Sequence, residues 1–238
     1  MARFYCIGPL APGQSLQLPN GAARHVQVLR MQPGAGITLF DGNGGEFEAT
    51  IEHMGRSEVR VLIGRHQAIE RELAQAVHLA IGMPANERMD WLVEKAVELG
   101  AASIQPLIAE RSVLKLTGER AEKKRAHWQA IAQAACEQCG RNVVPPVHQV
   151  ADLRAWLATP RSASVRWVLS PAAAPASLQA LANIAPPVIV LSGPEGGLTP
   201  AELELAQSQG FTPSGLGPRV LRAETAPLVL LAALTLAA

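Results

Sequence analysis

Two glycine-containing loops near the carboxyl end constrain this chain more than any other feature. The first loop, residues 193–200, follows the apolar run 188–192, which is typical of a buried strand. The second loop, residues 216–226, precedes the apolar segment 228–236, which is typical of a helix. Two polar loops that each lie at a strand end and open a helix predict a place for a ligand and a reaction.

The first loop carries its own structural signals. Gly193, Gly196 and Gly197 fall within five residues, so backbone N–H and C=O groups can approach a ligand without an intervening Cβ. Thr199 and Glu202 form a capping-box pattern, with Pro200 at the first helical position. Taken alone, this pattern is equally typical of a strand-to-helix turn that binds nothing.

The second loop adds charge. Arg219, Arg222 and Glu224 lie close together beside an apolar helical segment, where an unpaired charge is costly. Such charges either pair with one another or take part in function. Reactive sites favour clusters of this kind, so the second loop makes a functional interpretation the better one.

The two loops together carry a family resemblance. GPEGGLTPAE and LGPRVLRAETAP resemble the paired C-terminal motifs of the RsmE-type 16S rRNA uridine N3-methyltransferases, which belong to the SPOUT superfamily of knotted S-adenosylmethionine enzymes. The resemblance covers the whole chain, and its other motifs are His25 with VLR at 28–30, EKAVELG at 94–100, ERS at 110–112, and Glu137-Gln138 with Arg141. The second loop departs from the family pattern at Pro218 and Pro227.

Hydrophobic periodicity predicts an α/β chain with two parts. Residues 37–40, 47–51 and 59–63 alternate apolar and polar side chains around a strong turn at 41–45, and Asn20 is the predicted N-cap of a helix. From residue 77 onward, short apolar strands alternate with helices at 87–99, 117–138 and 175–183, which predicts a parallel sheet. Nothing in the periodicity indicates a knot.

The resemblance makes this architecture more specific. It implies a PUA-like, RNA-binding β-barrel over residues 1–70 and a SPOUT methyltransferase domain with a trefoil knot over residues 74–238. The segment from Leu228 to Leu236 is apolar on nearly all sides, so it needs cover on every side. A partner subunit would supply that cover, and the resemblance likewise implies a homodimer.

The resemblance also implies the reaction and its residues. The reaction transfers a methyl group from S-adenosylmethionine to N3 of a uridine in 16S rRNA, free or in the assembled small subunit. Arg222 would stabilise negative charge on the uracil, and Glu195 or Glu224 would accept the N3 proton. The alternative role for each carboxylate is structural: a hydrogen bond to the loop backbone or a salt bridge to Arg219. For Glu224, which could also open the last helix, this structural role is the favoured interpretation. The implied cofactor-binding residues are Leu191, Gly193, Pro194, Glu195, Gly196, Leu216, Gly217, Leu221, Arg222, Thr225 and Ala226.

Charge is balanced overall but uneven locally. The net charge is +1, so no global field indicates nucleic acid, yet residues 1–40 contain no Asp or Glu. Basic side chains in such patches can bind RNA phosphate, although charged runs on helices are more often solvated faces. The predicted RNA-binding residues are Arg3, Arg24, Arg30, Arg111, Arg141 and Arg219.

Metal binding and membrane insertion are not expected. Cys136 and Cys139 form a single C-x-x-C, with His148 as the one other nearby ligand, so they are predicted to be ordinary thiols. The apolar run 228–234 is too short to span a bilayer, which predicts a soluble, cytoplasmic protein.

Three other functions compete with this interpretation. Another SPOUT enzyme, such as a ribose 2′-O-methyltransferase, would share the two loops. A non-catalytic RNA-binding protein would explain the basic patches, but not two dense polar loops. A binder of nucleotide phosphates would use the first loop at a helix N-terminus.

Overall fold

The computed structural model describes residues 1–85, 87–160, 162–163, 165–175 and 186–237. The chain divides into two compact units. Unit 1 contains residues 1–72 and 133–144, and unit 2 contains residues 73–132 and 145–238. The helix predicted at 175–183 falls largely outside the described residues.

Unit 1 is built on a five-stranded sheet. Its strands are β1 (Arg3–Tyr5), β2 (Ser15–Gln17), β3 (Gly36–Phe40), β4 (Glu46–Met54) and β5 (Val59–Gln67), in the spatial order β1-β3-β4-β5-β2. The pairs β3–β4, β4–β5 and β5–β2 are antiparallel, and β1 pairs with β3 in parallel. The predicted alternation is confirmed, since Phe47, Ala49 and Ile51 are buried between exposed neighbours.

One helix, α1 (Asn20–Val28), covers the buried face of this sheet. Ala22, Ala23 and Val26 pack into the same core as the β4 and β5 side chains. The predicted N-cap is wrong, because Asn20 is already the first helical residue and Pro19 occupies the cap position without a side-chain hydrogen bond. The Pro19 carbonyl accepts the Ala23 N–H at 2.9 Å instead.

A late segment of the chain completes unit 1. The end of helix α3 (Gly118–Cys139) brings Glu137 to β1, where its Oε1 accepts the Tyr5 N–H at 2.9 Å. Asn142 accepts a hydrogen bond from Arg3 at 2.6 Å and donates one to the Ile69 carbonyl at 2.7 Å. These buried polar contacts join residues more than 70 positions apart in sequence.

Unit 2 contains a six-stranded sheet whose neighbouring strands are parallel, as predicted. Its strands are β6 (Val77–Gly82), β7 (Ser103–Ile108), β8 (Ala151–Asp152), β9 (Val165–Leu169), β10 (Val188–Ser192) and β11 (Thr212–Ser214), in the order β11-β9-β10-β6-β7-β8. β10 lies near the centre, and all five of its residues are buried. Because parallel strands point the same way, the loops after β9, β10 and β11 lie at one edge.

The helices of unit 2 cover this sheet. They are α2 (Glu87–Glu98), the first part of α3, α4 (Leu153–Ala158), α5 (Pro200–Ser208) and α6 (Thr225–Ala237). On one face Trp156 and Leu157 of α4 pack with Ala206 of α5 against the sheet. α2 and α6 contact each other, and α6 also contacts β10. None of the helices in the described ranges combines the length and the apolar character that crossing a bilayer requires.

Candidate active site

A cavity opens at the edge of unit 2 where β9, β10 and β11 end. Leu169 and Ser170 come from β9 and the residue after it, Ser192 ends β10, and Ser214 ends β11. Its volume is about 200 Å³, more than ten times the roughly 15 Å³ that one water needs. Ligands of open parallel sheets bind outside the carboxyl ends of the strands, which is where this cavity lies.

The first loop is held by a buried carboxylate. Thr199 and Glu202 form the predicted capping box at the start of α5. The other carboxylate oxygen of Glu202 accepts the Glu110 N–H at 2.8 Å, which ties the loop after β7 to the first loop. Glu202 is almost fully buried, so these hydrogen bonds are shielded from water and fix the loop firmly.

Close backbone packing accounts for two glycines at this edge. A Cβ on Gly193 would lie 2.9 Å from the Leu198 nitrogen, within the same loop. A Cβ on Gly82, at the end of β6, would lie 2.6 Å from the Pro194 nitrogen. The first loop therefore passes directly over the end of β6, and only glycine allows this approach.

The second loop lies opposite the first. It runs from the end of β11 to α6, with Gly217 at φ +99°. The Arg222 carbonyl accepts the N–H groups of Thr225 and Ala226 at 2.9 and 3.0 Å and so closes the first turn of α6. Both predicted loops therefore meet at one cavity.

The cavity contains some, but not all, of the predicted cofactor-binding residues. Those that line it are Gly193, Pro194, Glu195, Leu216, Gly217, Leu221 and Ala226. Leu191, Gly196, Arg222 and Thr225 do not line it. Leu191 is fully buried in β10, and the Gly196 carbonyl faces away to accept a hydrogen bond from Arg111 Nη1 at 3.0 Å.

The sequence did not predict that residues at the end of β9 and just after it line the cavity. Leu169, Ser170 and Pro171 line the cavity, as do Leu198 of the first loop and Leu203 of α5. The residues after β9 carry no glycine-rich motif. Only the strand order, with β9 between β10 and β11, could have placed them there.

The two candidate proton acceptors have different surroundings. Glu195 Oε1 accepts the Ala85 N–H at 2.8 Å and faces Arg88 Nη1 at 3.4 Å. Its hydrogen bond to the loop after β6 matches the alternative role, a structural contact with the backbone. Arg88, rather than Arg219, is its cationic neighbour, and no motif in the sequence had drawn attention to Arg88.

The structure separates the predicted RNA-binding arginines into two groups. The side chain of Arg3 is 13% exposed and pairs with Glu46 at 2.5 Å, and that of Arg141 is 4% exposed and pairs with Glu72. The guanidinium groups of these two arginines are buried and already bonded, so a phosphate contact would require each to leave its ion pair. Arg24, Arg30, Arg111 and Arg219 are exposed.

The cysteines are structural in character. Cys6 and Cys136 are buried, and burial raises the pKa of each thiol to about 12. Cys136 Sγ contacts the Val143 carbonyl at 3.6 Å, while Cys139 is half-buried. Within the described part of the chain, no group of three His, Cys, Asp or Glu side chains is arranged to hold a metal.

Comparison with protein families identifies both halves of the chain. Residues 71–235 match the family described as "RNA methyltransferase domain", and residues 18–64 match "RNA methyltransferase PUA domain". Ribosomal RNA small subunit methyltransferase E of Bacillus subtilis is 35% identical over 221 residues, which cover 88% of this chain and 85% of that protein.

Solved structures show the same similarity. A putative methyltransferase of Legionella pneumophila, in complex with the cofactor SAM, is 38% identical with a TM-score of 0.92, over 99% of this chain and 97% of that one. Ribosomal RNA small subunit methyltransferase E of Neisseria gonorrhoeae, bound to S-adenosyl methionine, is 36% identical with a TM-score of 0.90, over 98% and 96%.

Proposed function

The chain belongs to the ribosomal RNA small subunit methyltransferase E family, and on that premise we propose that it transfers a methyl group from S-adenosylmethionine to N3 of a uridine in 16S ribosomal RNA. The observation that carries the proposal is the cavity formed by the two predicted loops at the edge of the parallel sheet. The similar proteins are named as methyltransferases of the small-subunit ribosomal RNA, which supports this RNA as the substrate. The choice of N3 of a uridine rests on the family resemblance of the loop motifs.

The cavity suits a nucleoside cofactor. Leucine side chains at 169, 198, 216 and 221 form apolar walls that can hold an adenine ring, and backbone groups of Gly193 and Gly217 are accessible because no Cβ covers them. Ser170, Ser192 and Glu195 supply polar atoms for a ribose or an amino-acid moiety. S-adenosylmethionine supplies the transferable methyl group on a positively charged sulfur.

The chain's own residues would orient and stabilise the substrate. Arg222 stands at the second loop with a side chain that is 74% exposed, so it can reach a base outside the cavity. An oriented cation there stabilises negative charge on the uracil as N3 loses its proton. In this mechanism Glu195 is a positioning residue, because Ala85 and Arg88 hold its carboxylate between the loops after β6 and β10.

RNA recognition is assigned to residues 1–70 and to the rim of the cavity, and methyl transfer to residues 74–238. Arg24 and Arg30 are exposed on and just after α1. Arg30 has φ +53°, a conformation that is unfavourable for a side chain with a Cβ. Arg219 is exposed and lines the cavity, and Arg111 is exposed and bonded to the first loop, so both can contact phosphates near the target base.

Replacing Arg24 and Arg30 together with alanine is expected to weaken RNA binding. Each arginine that neutralises a phosphate releases counterions, so the slope of log K against log salt should fall in magnitude by about 2 for the pair. A fluorescence titration with 16S rRNA at several salt concentrations measures this. Arg65→Ala is the matched control, since Arg65 already pairs with Glu48. An unchanged slope would indicate that unit 1 has a structural role and does not contact RNA through these two arginines.

The proposal includes a homodimer and the trefoil knot of the SPOUT superfamily. α6 is apolar on most sides, and Leu236 is 88% exposed near its end. Trp91 of α2 and Val229 of α6 are also exposed, on two helices that contact each other. A second copy packed on these helices would cover this surface, because two-fold dimers commonly bury apolar helix faces.

One experiment tests the function directly. The purified protein is incubated with S-adenosylmethionine and either free 16S rRNA or assembled small subunits, and mass spectrometry of digested RNA locates the product. We expect one N3-methyluridine in the digested RNA. In the cell we place the reaction in the cytoplasm, where ribosomes are made. A 2′-O-methyl product would favour a ribose methyltransferase, and absence of any product would favour a binding protein. Light scattering of the same sample gives the number of subunits.

A further inference from the structure

Glu224, in the second loop, is buried without a hydrogen bond. Its side chain is 9% exposed, and Oε2 has no hydrogen-bond partner among the residues that the structure describes. A buried carboxylate oxygen without a donor costs free energy. Hydrogen bonding within the described part of the chain therefore does not account for this oxygen.

The favoured structural role of Glu224, opening the last helix, involves no hydrogen bond. The Arg222 carbonyl already accepts the N–H groups of Thr225 and Ala226, and Pro227 has no N–H to offer. Neither oxygen of the Glu224 carboxylate accepts a hydrogen bond from the described part of α6. Glu224 directly precedes α6, so its charge lies at the positive end of the helix dipole, and that interaction leaves both oxygens able to accept a proton.

Two arginines lie near the Glu224 carboxylate, but neither donates a hydrogen bond to it. Glu224 Oε1 lies 3.9 Å from Arg88 Nε and 4.0 Å from Arg222 Nη1, which are ion-pair distances longer than a hydrogen bond. Glu195 differs, since its Oε1 accepts the Ala85 N–H at 2.8 Å. Of the two loop carboxylates, Glu224 is the buried one, and no described residue donates a hydrogen bond to it.

From this geometry, and resting on the function proposed above, we infer that Glu224 accepts the N3 proton of the target uracil and that Arg88 is its positioning residue. The N3–H proton moves to Glu224 Oε2, and the N3 electron pair forms a bond to the methyl carbon. The electron pair of the broken carbon–sulfur bond stays on sulfur, which becomes a neutral thioether. The carboxylate and the sulfonium lose their charges together, so atoms and charge balance.

The surroundings of Glu224 fit this role. Ala223 and Ala226, on either side in sequence, line the cavity, whereas Glu224 does not, so the proposed base lies outside the cofactor site itself. Arg222, the predicted stabiliser of uracil charge, is its neighbour at 4.0 Å. Oε2 is buried, so the uracil reaches it only after the second loop moves. Residues 218–220 and 222 of that loop are exposed and lightly packed, which permits such movement.

A matched pair of variants, Glu224→Gln and Glu195→Gln, tests the inference with the purified full-length protein. Single-turnover methylation by Glu224→Gln should be about 10²- to 10⁴-fold slower than wild type, the usual contribution of a general base. Binding of S-adenosylhomocysteine should change by less than about threefold. Glu195→Gln should instead weaken cofactor binding more than it slows methylation at saturating cofactor.

A modified substrate separates proton transfer from structural damage. Fluorine at C5 withdraws electrons and makes N3 more acidic, so RNA containing 5-fluorouridine has less need of a base. We expect this RNA to raise the rate of Glu224→Gln by about tenfold or more relative to its effect on wild type. Glu224→Asp, which keeps a carboxylate on a shorter side chain, should have an intermediate rate and provides the same comparison if the glutamine variant does not fold.

Two results would overturn the assignment. One is a Glu224→Gln rate within about threefold of wild type. The other is a rate loss accompanied by an equal loss of cofactor binding or of subunit assembly, with no rescue by 5-fluorouridine. Absence of methylation by the wild-type protein would instead defeat the proposed function, before any variant is compared.

Discussion

Replacing Arg222 with alanine should lower the methylation rate about 10²- to 10³-fold while the cofactor still binds. Removing one oriented group that stabilises transition-state charge typically costs this much. The Arg222 side chain is 74% exposed and makes only a 4.0 Å ion pair with Glu224, so its loss should leave the fold intact. Its backbone carbonyl, which closes the first turn of α6, is unaffected by the substitution.

Single-turnover kinetics and calorimetry with S-adenosylhomocysteine measure the two parts of this prediction. Arg219→Ala is the matched control, because Arg219 is an exposed arginine of the same loop and lines the cavity. It should weaken RNA binding and leave the rate at saturating RNA nearly unchanged. If Arg222→Ala kept full turnover, Arg222 would have no place in the mechanism.

Replacing Gly193 with alanine should weaken cofactor binding by about tenfold to hundredfold. The added Cβ would lie 2.9 Å from the Leu198 nitrogen and 3.1 Å from the Gly197 carbonyl carbon, so the backbone of the first loop must shift. Overpacking of this kind costs about 1–3 kcal/mol, and each 1.4 kcal/mol is a factor of about ten in affinity. Calorimetry with S-adenosylhomocysteine measures the change.

A second glycine variant, away from the cavity, controls for general disturbance. Gly118, at the start of α3, has φ +54° with open space where a Cβ would lie, and asparagine tolerates that conformation. Gly118→Asn should therefore bind the cofactor far better than Gly193→Ala, with both proteins showing wild-type circular dichroism. Equal affinities for the two variants would show that the close approach at Gly193 does not shape the site.

Local patterns predicted the elements of this fold well. Period-two alternation identified β4 and β5, and the apolar run 188–192 identified the central strand of the parallel sheet. The capping box at Thr199 and Glu202 is present as predicted. These features succeed because each depends on neighbours within a few residues, which a single sequence displays directly.

Features that depend on distant partners were not predictable in this way. Arg3 and Arg141 are typical RNA-binding residue types, yet Glu46 and Glu72 bury them in ion pairs. Arg88 belongs to none of the sequence motifs. It lies near Glu195 and Glu224 only because the loop after β6 runs beside the first loop. The contact of the first loop with Glu110 through Glu202 likewise joins residues 92 positions apart.

The late segment of unit 1 has a consequence for biosynthesis. Residues 133–144 supply Glu137, Arg141 and Asn142, whose side chains satisfy buried polar groups of the amino-terminal sheet and of the stretch of chain that follows it. A nascent polypeptide that has only reached residue 72 lacks these contacts. The amino-terminal 72 residues, which leave the ribosome first, must therefore wait for residues 133–144 before unit 1 can mature, and a fragment that ends earlier would leave those groups exposed to solvent.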